Sequence, residues 1–234
     1  MNRFRPGREV MVAGVGLHPF GRFPDQDLAS LALEAVVQAL KDAGVSWKDI
    51  PVAYFGHVYY HGMSVGETTL AKLGLTGIPI INVENACSSG STAFWQAYWG
   101  IATGAFDLAL AFGAEKVPRG PVTVTAEDSP DRYIGADHMM AGYALRMRRY
   151  MEETGAPATA LAQVAVKARQ NGALNPYAHR KQTYTLEEVL QSRLIADPLT
   201  LYQCCPTSEG AAAAVLCAAD ALERHKIDKN RAVK

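Results

Sequence analysis

A bias of charge is the first thing this sequence lacks: lysine plus arginine and aspartate plus glutamate number 23 each. No global field of either sign recruits nucleic acid or an anionic membrane, so neither is expected as a partner. Long apolar runs are absent too. No stretch reaches the ~18 residues of a spanning helix, and the basic opening MNRFRPGREV carries none of the apolar core of a signal peptide. Arg3, Arg5 and Arg8 within it read as a solvated tail. Cysteine is scarce, with four residues at 87, 204, 205 and 217. That spacing is not one of metal ligands, and neighbours such as Cys204 and Cys205 rarely bridge each other; reduced thiols in a cytoplasmic protein are the economical reading. No internal repeat or low-complexity run is visible. What the chain does have is a hydrophobic content of 49% against 20% charge in 234 residues, enough for one large domain or two small ones with a real core.

The first 117 residues alternate strand and helix patterns. EVMVAGVG (Glu9–Gly16), PVAYFGHV (Pro51–Val58), IPIINV (Ile78–Val83) and DLALAFGA (Asp107–Ala114) are short apolar runs bounded by turn residues, as buried strands are. Between the first two, Leu28, Leu31, Ala32, Ala35, Val36, Ala39 and Leu40 share one helical face, with Asp25 or Asp27 as cap and Gly44 as terminator. A weaker helix spans Val65–Leu73, and another follows from about Ser88 to Thr103. Strands alternating with helices predict an α/β fold built on a mainly parallel sheet.

Residues 118–200 change character. Proline, glycine and charge dominate PRGPVTVTAEDSPDRYIGAD, which leaves the sheet. Helical patterns follow at His138–Glu153 and Ala158–Asn171, and Thr185 with Glu188 makes a capping box for a third. GAAAAVLCAA (Gly210–Ala219) returns as a fifth strand. The expected division is a core of 1–117 and 201–234, with a mostly helical lobe of 118–200 inserted between strands four and five.

Chemistry concentrates in IPIINVENACSSGSTAFWQAYWGIATGA. Cys87 stands where a buried strand gives way to a helix, followed by Ser88, Ser89, Gly90 and Ser91. Helix-start amides and the positive end of the dipole favour a thiolate, small residues allow close approach, and strand carboxyl ends are where parallel α/β sheets place ligands. Free cysteines are also among the most buried residue types, so nucleophile and structural thiol both stand at this point. In the following helix only Gln96 is clearly polar among Ala93, Phe94, Trp95, Ala97, Tyr98, Trp99, Ile101 and Ala102. A helix apolar around most of its circumference needs cover on more than one side.

NACSSGSTA, the glycine and acid of FGAEKV, and CCPTSEGAAAAVL together resemble the amino-terminal half of thiolases. VAVKARQNGALNPYAHR, with Asn175–Pro176, points to the branch of sterol-carrier-protein-type and bacterial lipid-transfer-protein thiolases. The resemblance runs from about residue 9 to 225. It implies a thiolase-like βαβαβαββ half, with a CoA-facing lobe inserted between strands four and five. It also implies an activity: making or cleaving C–C bonds in β-keto acyl-CoA thioesters through an acyl group on Cys87. Coenzyme A then enters as substrate, with no tightly bound cofactor and no metal. The Cys87 N–H would join an oxyanion hole, and Asn85 would shape the loop. His138 and Met139 align with a His–Met pair that approaches the pantetheine arm in many thiolases, although Met140 replaces the glycine that often follows. Arg148 or Arg149, Arg180 and Lys181 are candidates for CoA phosphates, none singled out, and His57, His61 and His179 carry no assignment.

Thiolases have a second half bearing catalytic histidines and, in many members, a second cysteine. Cys204, Cys205 and Cys217 do not lie in that motif, so the carboxy-terminal half is expected either on another chain or in a continuation of this one, and complete activity of these residues alone is not expected. A homo- or hetero-oligomer follows as the expectation. Two other readings remain beside acyl transfer. One is retro-aldol cleavage of β-hydroxyacyl-CoA side chains with a zinc-ribbon/OB-fold partner. The other is a non-catalytic acyl-CoA-binding or scaffolding subunit. The tyrosines and methionines of TAEDSPDRYIGADHMMAGYAL suggest aromatic, branched or sterol-derived acyl groups.

Overall fold

The computed structural model describes residues 7–59, 62–123 and 128–234. Arg3, Arg5, His61 and the 125–127 start of the tyrosine- and methionine-bearing segment lie outside them. The chain divides into two compact units, Met1–Val117 with Ser208–Lys234, and Pro118–Thr207.

In the first unit the strands are β1 (Val10–Gly21), β2 (Ala53–Gly56), β3 (Ile80–Val83), β4 (Leu108–Lys116) and, returning after the insertion, β7 (Glu209–Ala218). Their order in the sheet is β1-β7-β4-β2-β3. β2 pairs in parallel with β3 and β4, whereas β7 runs antiparallel to both β4 and β1. Four strands therefore share a direction, as expected, but half of the four pairings are antiparallel because β7 wedges between β1 and β4. The sheet is mixed.

β1 continues beyond its expected end at Gly16 through Pro19 to Gly21, with irregularities after Val12 and His18. Its place at the sheet edge explains this, since the N–H that proline lacks has no ladder bond to lose there. Arg8, read as part of a solvated tail, is instead held by Asp107 at 2.9 Å, by Asp220, and by the Phe106 carbonyl at 3.2 Å.

Three helices of this unit frame the sheet: α1 (Leu28–Ala43), α2 (Val65–Leu70) and α3 (Ser89–Ala102). Asp27 caps α1 by accepting from the Ser30 N–H, and Gly44 closes it with a left-handed φ of 72°. Its buried face is the expected stripe, with Leu31, Ala35, Val36 and Ala39 fully enclosed. Register shows which face each helix covers. Gly16 abuts Ala35 of α1 and lies in line with Ala213, Phe112 and Phe55. Gly56 and Gly113, one residue further along and so on the other face, abut the first turn of α3. α1 and α3 thus cover opposite faces, and β4 is buried continuously from Leu108 to Phe112. Each large core side chain here contributes about 1.5–3 kcal/mol by burial.

The second unit contains α4 (Pro130–Tyr133), α5 (Met139–Thr154), α6 (Ala158–Leu174), α7 (Leu186–Gln191) and a two-stranded hairpin, β5 (Leu194–Ala196) with β6 (Leu199–Thr200). The Thr185–Glu188 capping box opens α7 as expected. Ala162, Val166 and Val189 form a small core, with Tyr184 stacked on Tyr202 at 4.0 Å. This unit extends past the expected junction at residue 200. Leu201 N–H donates to the Arg193 carbonyl at 2.8 Å, Tyr202 N–H to the Ser192 hydroxyl at 3.2 Å, and Thr200 Oγ1 to the Val189 carbonyl at 2.8 Å. Those bonds tie 201–203 to the lobe.

Candidate active site

Cys87 lies in the turn between β3 and α3, and it is exposed. Ala86 before it has φ 47°, a left-handed conformation that costs a non-glycine residue free energy and persists only where neighbours impose it. They do so here. Ala86 N–H donates to Glu84 Oε1 at 2.6 Å, and the Ala86 carbonyl accepts from both the N–H and the hydroxyl of Ser89 at 3.1 and 2.8 Å. The same hydroxyl, buried, accepts from Asn85 N–H at 2.8 Å. Asn85 Nδ2 donates to Thr92 Oγ1 at 2.9 Å, so Asn85 ties the turn to the helix it precedes. The Ser88 and Ser89 amides are occupied by the Asn85 and Ala86 carbonyls. The expected reserve of unpaired helix-start amides is therefore smaller than the sequence suggested.

Two glycines let this turn sit on the sheet. A Cβ on Gly56 would fall 2.6 Å from the Ser89 carbonyl carbon and oxygen, and one on Gly113 would come 3.2 Å from the Gly56 oxygen. The first turn of α3 thus rests against bare backbone at the carboxyl ends of β2 and β4. Beside it opens a cleft of about 300 Å³ whose walls include Phe20, Gly56, His57, Cys87, Gly90 and Glu115.

Glu115, the acid of FGAEKV, supports that cleft. Its Oε2 accepts from Val58 N–H at 2.7 Å and Tyr59 N–H at 2.9 Å, holding the loop after β2. Glu209, which opens β7, plays a matching part. It accepts from Phe23 N–H at 2.7 Å and pairs with Lys116 at 2.9 Å and Arg22 at 3.2 Å. Burial pushes its carboxyl up, but the Phe23 amide, Lys116 and Arg22 together hold it below its ordinary value. Neither acid was assigned a role from the sequence. The only signal was their place in two motifs of the resemblance.

The remaining cysteines sit in unlike surroundings. Cys217 is buried in β7, and burial pushes its thiol up to about 11. Cys204 is raised by burial and then by Cys205, which itself is exposed. In the second unit, exposed His138 is the residue before α5 and Met139 the first within it. Met139 N–H donates to the Val122 carbonyl at 2.9 Å, and His138 Nδ1 lies 3.5 Å from Thr123 Oγ1. Among the described residues no group of three His, Cys, Asp or Glu side chains is placed to hold a metal. None of their helices is long and apolar enough to cross a membrane.

The thiolase N-terminal domain matches residues 10–220, a span that holds the sheet, the strained turn and Cys87. The chain belongs to that family. Benzoylsuccinyl-CoA thiolase subunit BbsB of Thauera aromatica is 40% identical over 95% of this chain and 58% of its own length. Sterol carrier protein 2 of Bos taurus is 37% identical over 96% of this chain and 44% of its own. Among solved structures, the Ltp2–ChsH2(DUF35) aldolase superposes with a TM-score of 0.78 at 28% identity, over 92% of this chain and 56% of that one. The thiolase domain described here thus spans about half the length of the curated relatives it matches.

Proposed function

We propose that this thiolase domain is the nucleophile-bearing portion of an acyltransferase that makes or cleaves C–C bonds in β-keto acyl-CoA thioesters. The observation that carries the reading is an exposed Cys87, held by an over-determined turn at the mouth of an open cleft, within a family match covering most of the chain. In the cleavage direction Sγ attacks the keto carbon and the C–C bond breaks. The departing CoA enolate takes a proton, and a CoA thiol then collects the acyl group from Cys87. The Cys87 N–H contributes to the oxyanion hole.

Coenzyme A enters as substrate, and the reading requires no tightly bound cofactor. His138 and Met139 serve the pantetheine arm. Completion by a further thiolase half or a partner subunit accompanies this reading. Its support is that one relative is named as a subunit and one structural relative as an Ltp2–ChsH2(DUF35) assembly. A zinc-ribbon/OB-fold chain belongs to the competing retro-aldol reading.

That structural relative is an aldolase, which favours one competing reading, retro-aldol cleavage. Intact-mass measurement after exposure of the full-length protein to acyl-CoA separates the two. Acyl transfer requires an adduct on Cys87 that free CoA removes and that Cys87→Ser abolishes. Carbonyl product released without any adduct, and unaffected by Cys87→Ser, sinks the acyl-cysteine reading.

A further inference from the structure

His57 follows β2 directly and lines the same cleft as Cys87. Its placement is constrained on several sides. The backbone N–H meets the Val83 carbonyl at 3.4 Å, and the ring stacks on Phe55 at 5.1 Å with the planes 21° apart. The two amides that follow are held by the Glu115 carboxylate. Its Nδ1 is buried and meets no hydrogen-bonding partner among the described residues.

That orphan nitrogen favours one tautomer. A buried N–H without an acceptor is rarer in native structures than a buried lone pair without a donor. Of the two tautomers, the one with the proton on Nε2 leaves only a lone pair at Nδ1. In that tautomer Nε2 is a donor on a ring that lines the cleft. A base would need the opposite arrangement.

We propose that His57 is a catalytic residue that donates its Nε2–H to the carbonyl oxygen of the acyl group entering Cys87. The proposal rests on the acyl-cysteine reading above. In transfer from a simple thioester, the Sγ–C bond forms and the C–S bond to CoA breaks. The thiol proton leaves with the CoA sulfur. Negative charge passes through the carbonyl oxygen between those events, and a donor in the wall of the same cleft stabilises it. His57 keeps its own proton throughout.

The test compares two reactions of Cys87 in the full-length protein: acetylation by acetyl-CoA, read by intact mass, and alkylation by iodoacetamide. Only the first builds charge on a carbonyl oxygen. His57→Phe keeps a ring on Phe55 but removes both nitrogens, whereas His57→Gln restores an amide donor. The expected result is that His57→Phe slows acetylation by ~10²–10³-fold while alkylation stays within about twofold, and that His57→Gln recovers part of the loss. Equal slowing of both reactions would mean that His57 only shapes the turn, and unchanged acetylation would mean that it does nothing; either overturns the proposal. If the wild type is alkylated but never acetylated, the acyl-cysteine reading falls first and the His57 role with it.

Discussion

The Ser89 hydroxyl donates to the Ala86 carbonyl at 2.8 Å, closing the turn that presents Cys87. It also accepts from the Asn85 amide, and it is buried. Ser89→Ala leaves the Asn85 N–H without its acceptor and the Ala86 carbonyl with only the backbone N–H of residue 89, beside a left-handed alanine. The expected loss is about 1–3 kcal/mol, read as a lower urea midpoint. An unchanged midpoint would show that the turn holds itself together without the hydroxyl.

Gly56 and Gly90 make a paired test of how α3 rests on the sheet. Gly56→Ala puts a methyl 2.6 Å from the Ser89 backbone, whereas a Cβ on Gly90 meets nothing within 4 Å. Overpacking at Gly56 is expected to cost about 1–3 kcal/mol. Gly90→Ala, inside a helix, is expected to be neutral or stabilising by about 0.5–1 kcal/mol. Thermal unfolding of the two variants side by side decides it, and equal effects would contradict the packing described.

Acid should weaken the fold through Asp27. The Ser30 hydrogen bond and then Lys72 lower its carboxyl from 3.8 to about 2. A depressed folded value means stability that is present above the unfolded value and lost as pH falls through the folded one. Urea midpoints are thus expected to hold from neutrality to about pH 4 and to decline towards pH 2. Asn caps as well as Asp, so Asp27→Asn should flatten part of that decline without abolishing α1. A variant as acid-sensitive as the wild type would remove Asp27 from the account.

Thiol labelling is expected to proceed in two classes. Cys87 and Cys205 are exposed, Cys204 is half-buried with its thiol raised, and Cys217 is buried with its thiol at about 11. Only thiolate reacts, so mass-resolved alkylation should mark 87 and 205 first and 217 only on unfolding. Early labelling of Cys217 would contradict its place in β7.

Much of the fold was legible because local rules and tertiary demands agree. The α1 stripe, the Gly44 terminator, the capping box at Thr185 and the strand runs ending at Val83 and Ala114 all announce themselves within a few residues. The β5–β6 hairpin did not, since strands of two and three residues carry no usable period. Arg8 was equally opaque. Its partners, Asp107 and Asp220, lie about a hundred and two hundred residues away in sequence.

By itself the sequence determined the longer helices and core strands, the family and the residue at the strand-to-helix junction, because periodicity, caps and a contiguous motif are properties of neighbours. Tertiary structure alone decided that β7 wedges between β1 and β4, that Gly56 and Gly113 seat α3, and that His57 and Glu115 share a wall with Cys87. Those arrangements depend on which strand pairs with which, and pairing is settled by burial and hydrogen bonding summed over the whole sheet.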